Sequence, residues 1–165
     1  MARKSALALA MALLATGGIA AAQSQPGVMG TELTPEEYTK LVQSIDWERH
    51  TLSTEEFLAK RDAGAVVLDL RDYEAYLHGH IAGALHIDAG EITDQELARL
   101  VPDRNQTILI YCDNSILLTR RMRLTMISLP QFVAHGYENV YEAERIALIA
   151  PIEDGRLPMV SGPNP

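Results

Sequence analysis

The stretch "AVVLDLRDYEAYLHGHIAGALHID", residues 65–88, decides the fold. Its first six residues, Ala65 to Leu70, are apolar except for Asp69. A nearly unbroken run of this kind reads as a strand buried on both faces, the pattern of a parallel sheet. Asp69 and Arg71 stand at the end of that strand, and buried charges need partners. They are therefore expected to pair within each other's neighbourhood or with nearby backbone. Gly79 and Gly83 predict a tight turn on the way back to the sheet. His80, between them, is expected to be a hydrogen-bonded turn residue. His78, His80 and His86 lie close enough to raise zinc or copper ligation. No second cysteine or further ligand pair completes a set, so no metal and no other cofactor is expected.

Working outward, the same alternation of buried strands and helices recurs. "TILIY" (Thr107 to Tyr111) and "ENVYEA" (residues 138–143) read as two more strands. "TPEEYTKLVQSI" opens a helix with Thr34 as N-cap, Pro35 in the first turn and Glu37 closing a capping box. Its Tyr38, Leu41 and Ile45 share one face. "STEEFLAKRDAG" repeats the device with Ser53 and Glu56, turns Phe57 and Leu58 inward, and stops at Gly64. "DQELARLV" is a short helix ended by Pro102, and "LPQFVAHG" another, stopped by Gly136. Helices alternating with buried strands make the class α/β, with a mostly parallel central sheet flanked by helices. The tail "GRLPMVSGPNP" is expected to be irregular.

The 165 residues suffice for one domain with a real core. A formal net charge of −8 argues against nucleic acid or an anionic membrane as partner. The first 22 residues have the layout of a secretory signal. Arg3 and Lys4 precede an apolar run from about Ala6 to Leu14, Gly17 and Gly18 break it, and Ala20 to Ala22 offer a cleavage site. The run is shorter than the roughly 20 residues of a spanning helix. Cleavage before Gln23 removes Arg3 and Lys4 and takes the charge from −8 to −10. The expected organisation is thus a signal at 1–22, a flexible leader at 23–33, one domain at 34–160 and an irregular tail at 161–165. The expected destination is secreted or periplasmic, with no membrane contact once the signal is gone.

The middle of the chain resembles the rhodanese-like sulfurtransferase family. Leu68-Asp69-Leu70-Arg71 matches the family's aspartate-x-arginine strand end, and Glu74 and Tyr76 the acidic and aromatic positions after it. Gly79 to Ala84 matches the glycine-histidine-isoleucine-x-glycine-alanine turn. "ILIYC" matches the active-site strand, and "GYENVYE" the strand after the active-site helix. The match runs from about Leu52 to Tyr141 in consistent order. The resemblance implies a single rhodanese-like domain in which a loop cysteine takes sulfur from a donor such as thiosulfate, forms a persulfide and passes the sulfur to a nucleophile.

Cys112 occupies the nucleophile's place and is the only cysteine in the chain. In open α/β sheets the working residues sit beyond the carboxyl ends of the strands. An unpaired thiol in an exported protein is either reactive or buried and inert. The strand-end position favours the first, and the thiol is expected to be at least partly accessible. The loop departs from the family, which the resemblance implies should have glycine three places after the cysteine and arginine five places after it. Here those places hold Ser115 and Leu117. The 24 positions from Cys112 to Gly136 are also more than the family's spacing. Asp113 beside the thiol opposes its ionisation. Asn114 and Ser115 can hydrogen-bond a sulfur anion or merely shape the turn. Arg120, Arg121 and Arg123 form a basic cluster that either replaces the missing arginine or is a solvated surface run. Two functions remain open. One is a persulfide carrier or weak sulfurtransferase, partnered by a small sulfur donor or anion and a thiol-bearing protein acceptor. The other is a catalytically inactive module that binds a protein partner or small oxyanion.

Overall fold

A computed structural model of the chain describes residues 31–117 and 124–164. The expected signal, most of the leader and the basic cluster Arg120, Arg121 and Arg123 lie outside the described residues. Thr31 is buried, so packed structure already begins within the segment expected to be a flexible leader.

The two capping boxes start their helices as the sequence implies. In α1 (Pro35–Ser44) the Thr34 hydroxyl accepts from the Glu37 amide while the Glu37 carboxylate accepts from the Thr34 amide at 2.9 Å. In α3 (Thr54–Asp62) Ser53 and Glu56 do the same, at 3.0 Å for the Ser53 amide. Between them lie α2 (Trp47–His50) and β1 (Thr51–Leu52), too short to leave a periodic signal. There follow β2 (Val66–Asp69), α4 (Tyr73–His78), β3 (His80–Ile81), β4 (Leu85–His86), α5 (Asp94–Leu100), β5 (Ile108–Tyr111), α6 (Asp113–Ile116), α7 (Thr125–Ala134), β6 (Val140–Ala143), α8 (Ile149–Glu153) and β7 (Met159–Val160).

Five strands form one sheet in the order β1-β6-β5-β2-β4, every pairing parallel. Both faces are covered, which is why the strands lack polar alternation. Along β5, Ile108 and Ile110 enter one core with Leu97, Leu129 and Phe132, whereas Leu109 and Tyr111 enter the other with Phe57, Ile81 and Leu148. The period of two continues past the strand end and places Cys112 in the first core.

Two expectations need correction. The fourth major helix begins at Thr125, not at Leu129, so Pro130 lies inside it. Proline lacks the amide that would bond back to Met126, a loss that made the prolyl position look like a helix start. The tail expected to be irregular contains β7, which pairs antiparallel with β3, Ile81 opposite Met159. The residues after it are tied down too. Ser161 Oγ donates to the His78 carbonyl at 2.9 Å, and the Gly162 amide to the Leu77 carbonyl at 2.9 Å. Among the described residues no helix is long and apolar enough to cross a membrane.

Candidate active site

β2 and β5 are neighbours, with Asp69 opposite Tyr111 at their carboxyl ends. Asp69 is fully buried and gathers four donors. Arg71 approaches it with Nε at 2.9 Å from Oδ1 and Nη2 at 2.6 Å from Oδ2, the Arg71 amide donates at 3.0 Å, and the Tyr111 hydroxyl donates at 2.7 Å. Arg71 Nη2 also donates to the Gly79 carbonyl at 2.6 Å. The Tyr111 oxygen in turn accepts from the Ile81 amide at 3.1 Å. The expected pairing of Asp69 and Arg71 is therefore a direct, two-point ion pair, and it braces β2, β3 and β5 together. Burial works against the Arg71 charge, but the hydrogen bonds and the charge of Asp69 outweigh it, and the guanidinium holds its proton more tightly than usual. Burial first, and the Asp69 charge second, push the Tyr111 phenol well above its ordinary range.

The Gly79–Gly83 turn is asymmetric. Gly83 has φ +82°, the left-handed region that favours glycine, as the expected tight turn requires. Gly79 has φ 175°, extended backbone open to any residue, and contributes a carbonyl to Arg71. The turn expectation therefore applies to Gly83 alone. His80 is fully buried, with Nδ1 2.9 Å from the Tyr76 carbonyl oxygen and its ring stacked on Tyr76 at 3.8 Å. That is the structural role expected of it. His78 Nδ1 reaches the Glu74 carbonyl at 2.7 Å and His86 Nε2 the Arg71 carbonyl at 2.7 Å. Each imidazole is thus engaged with its own carbonyl oxygen.

Cys112 follows β5 directly and caps the one-turn helix α6. It lines a cavity of about 490 Å³, so the residue both follows a core strand and faces a pocket. The expected partial accessibility is not found, since Cys112 is only 1% exposed. The cause is the strand's alternation, which seats the residue in the core that holds Leu70, Ala89 and Leu129. The cavity is built from the ends of three strands, with Leu70, Arg71 and Asp72 after β2, Asp88 to Gly90 after β4, and Cys112 and Asp113 after β5. Leu124 and Ile127, at the start of α7, close it.

Of the other singled-out loop residues that the structure describes, Asp113 joins Cys112 in lining this cavity. Asn114 and Ser115 are buried. The Asn114 carbonyl accepts from the Ile146 amide at 2.8 Å and the Ser115 carbonyl from the Leu148 amide at 3.0 Å. The Ser115 hydroxyl takes the Cys112 amide at 3.5 Å. These contacts tie the turn to the segment that follows β6. Leu117, where the family resemblance implies arginine, is 52% exposed and ends α6 in extended backbone.

Sequence reasoning overlooked Asp72, Asp88 and Tyr111 as site residues. Two signals were present. Asp72 precedes "YEAYLH", whose helix α4 it caps by accepting from the Ala75 amide at 2.8 Å. Asp88 follows a strand at the same edge as Cys112, where the strand-end rule directs attention.

A parallel sheet covered on both faces, with a thiol facing a cavity at the end of its central strand, defines an α/β domain whose chemistry sits at the strand ends. The family model for the rhodanese-like domain matches residues 53–144. The chain belongs to the rhodanese-like domain family. It is 33% identical over 93 residues to the thiosulfate sulfurtransferase GlpE of Pseudomonas entomophila, a match covering 56% of this chain and 76% of that protein. It is 30% identical over 84 residues to the thiosulfate sulfurtransferase GlpE of Pseudomonas paraeruginosa, covering 51% and 67%. The crystal structure of the BH2092 protein from Bacillus halodurans superposes with a TM-score of 0.55 at 19% identity, covering 76% of this chain and 85% of that one. At that identity the likeness speaks for the fold, which is the five-stranded parallel arrangement described above.

Proposed function

We propose that this chain is an exported sulfur carrier or weak sulfurtransferase in which Cys112 holds the travelling sulfur. The observation that carries the reading is the position of Cys112: it ends the central strand and lines a cavity, in a chain of the rhodanese-like family. The ionised Cys112 sulfur attacks the outer sulfur of a donor. A new S–S bond forms as the donor's S–S bond breaks, and its electron pair leaves with sulfite or with a thiolate. A thiol acceptor, small or protein-borne, then takes the outer sulfur and regenerates Cys112. Asp69, Arg71 and Tyr111 act on this chemistry only by holding the strand end in place. Export rests on the arrangement of Arg3, Lys4, the apolar run and Ala20 to Ala22.

The burial of Cys112 favours a second reading, a rhodanese-like module that binds without chemistry. Intact-mass spectrometry of the protein recovered from outside the cytoplasm separates the two. The proposed function expects a chain beginning near Gln23 that gains one sulfur atom on incubation with an organic persulfide, and a Cys112→Ser variant that gains none. A protein that takes up no sulfur from either thiosulfate or the persulfide is the binding module, and a chain that still begins at Met1 is not exported by this signal.

A further inference from the structure

We infer that the Cys112 cavity sorts sulfur donors by charge, admitting neutral or cationic organic persulfides in preference to the thiosulfate dianion. This rests on the sulfur-transfer reading and adds the class of donor to it. Among the described lining residues the one cation is Arg71, and two of its three guanidinium nitrogens are already engaged inside the fold. Nε and Nη2 hold the buried Asp69 carboxylate, and Nη2 also holds the Gly79 carbonyl. Its side chain is only 7% exposed, so it presents no fork to an incoming sulfonate.

The mouth carries the opposite charge. Asp72 and Asp88 line it on two sides, each anchored by a backbone amide, from Ala75 at 2.8 Å and from Gly90 at 2.7 Å. Anchoring fixes where each negative charge sits. Between them the wall is apolar, formed by Leu70, Ala89, Leu124 and Ile127. Against this wall and the two carboxylates a sulfonate would lose water and gain no donor from the described residues beyond Arg71, which is unfavourable for a charged group. An organic substituent would instead bury apolar surface. The acidic chain as a whole reinforces the bias. The transfer is R–S–SH + Cys112–S⁻ → Cys112–S–SH + R–S⁻: one S–S bond breaks, one forms, and the electron pair leaves on the donor's inner sulfur.

The test uses methanethiosulfonate reagents that differ only in tail charge. Each converts Cys112 to a mixed disulfide with loss of methanesulfinate. Labelling rates on the folded protein, each divided by the rate with a free small thiol, report the cavity's own preference. At low ionic strength the cationic reagent should be favoured over the anionic one by about tenfold or more, and the ratio should narrow as salt is raised. Asp88→Asn and Asp72→Asn should each reduce it. Asparagine caps a helix as well as aspartate does, so the second change keeps α4 intact.

Equal or reversed preference overturns the inference, including a reversal that vanishes when Arg120, Arg121 and Arg123 are changed to Ala. Failure of every reagent, whether cationic, neutral or anionic, to label the folded chain also overturns it, since the cavity would then admit no donor. The two readings fail separately. A Cys112 that gains sulfur but shows no charge preference sinks the inference alone. One that labels selectively but never gains sulfur sinks the sulfur-transfer reading alone.

Discussion

The carboxyl ends of β2 and β5 lie side by side and have been finished in opposite ways. At the end of β2 the buried carboxylate of Asp69 is saturated by Arg71 and Tyr111. At the end of β5 the next side chain, Cys112, faces a cavity. The first end has its buried carboxylate satisfied within the fold. The second keeps a polarizable sulfur next to space. Their adjacency is a contrast: a polar brace ties the strand ends together, and the position beside it lies next to open space. Function at this sheet edge is therefore to be sought where the hydrogen bonds run out.

The largest expected effect comes from breaking the brace. Asp69→Ala leaves the Arg71 guanidinium buried without its counter-charge, at an expected cost of about 3–5 kcal/mol in unfolding free energy. Replacing both partners, Asp69→Leu with Arg71→Met, should recover most of that loss, because the pair's attraction mainly offsets its own desolvation. Urea denaturation of the two variants measures both numbers. A cost below about 1 kcal/mol for Asp69→Ala would mean the β2 end is no more constrained than a surface ion pair, and the contrast with β5 would collapse.

Tyr111→Phe should cost less, about 1–3 kcal/mol, since it orphans the buried Ile81 amide and removes one donor from Asp69. It should also alter the alkaline limb of the stability profile. The Tyr111 phenol is raised in the folded state by burial and by the Asp69 charge. A group raised on folding contributes stability that is complete below its unfolded pKa, about 10 for tyrosine, and that is lost as pH climbs above it. The parent protein should therefore lose stability above that range, and Tyr111→Phe should lose it less steeply. Parallel slopes in denaturant titrations across alkaline pH would remove Tyr111 from the brace.

The same contrast explains what could be read before the fold was known. "VVLDLR" followed by a glycine-histidine turn implies a buried strand, a charged pair and a return to the sheet, because each residue's partner is a few positions away. Asp69 and Arg71 are two residues apart, and His80 bonds the carbonyl four residues before it. The boxes at Thr34 and Ser53 are local for the same reason. The cysteine site resisted because its parts are remote in sequence. Asp72, Asp88 and Leu124 reach Cys112 only through the strand order β5-β2-β4 and the docking of α7. Short β7 was illegible too, since two residues paired with His80 and Ile81 carry no period of their own.

The smallest expected effect tests whether the unsaturated end can be tuned. Leu117 stands five places after Cys112, where resemblance to the family implies an arginine. It is 52% exposed at the end of α6, and its amide is already used by the Asp113 carbonyl at 2.8 Å. Leu117→Arg should therefore leave the unfolding free energy within about 0.5 kcal/mol, as for surface changes generally. Its fork would supply one charge-assisted contact to a sulfonate. A contact worth about 1.4 kcal/mol in the transition state corresponds to about tenfold in rate. Sulfur uptake by Cys112 from thiosulfate should rise by up to about that factor, while uptake from a neutral organic persulfide should stay level. Stopped-flow mixing followed by mass analysis of the loaded protein compares the two donors directly. A rise with both donors would point to a general loosening of the loop instead of anion recognition. No rise with thiosulfate would place the obstacle at Asp72 and Asp88, and combining Leu117→Arg with Asp88→Asn should then release what the arginine alone did not.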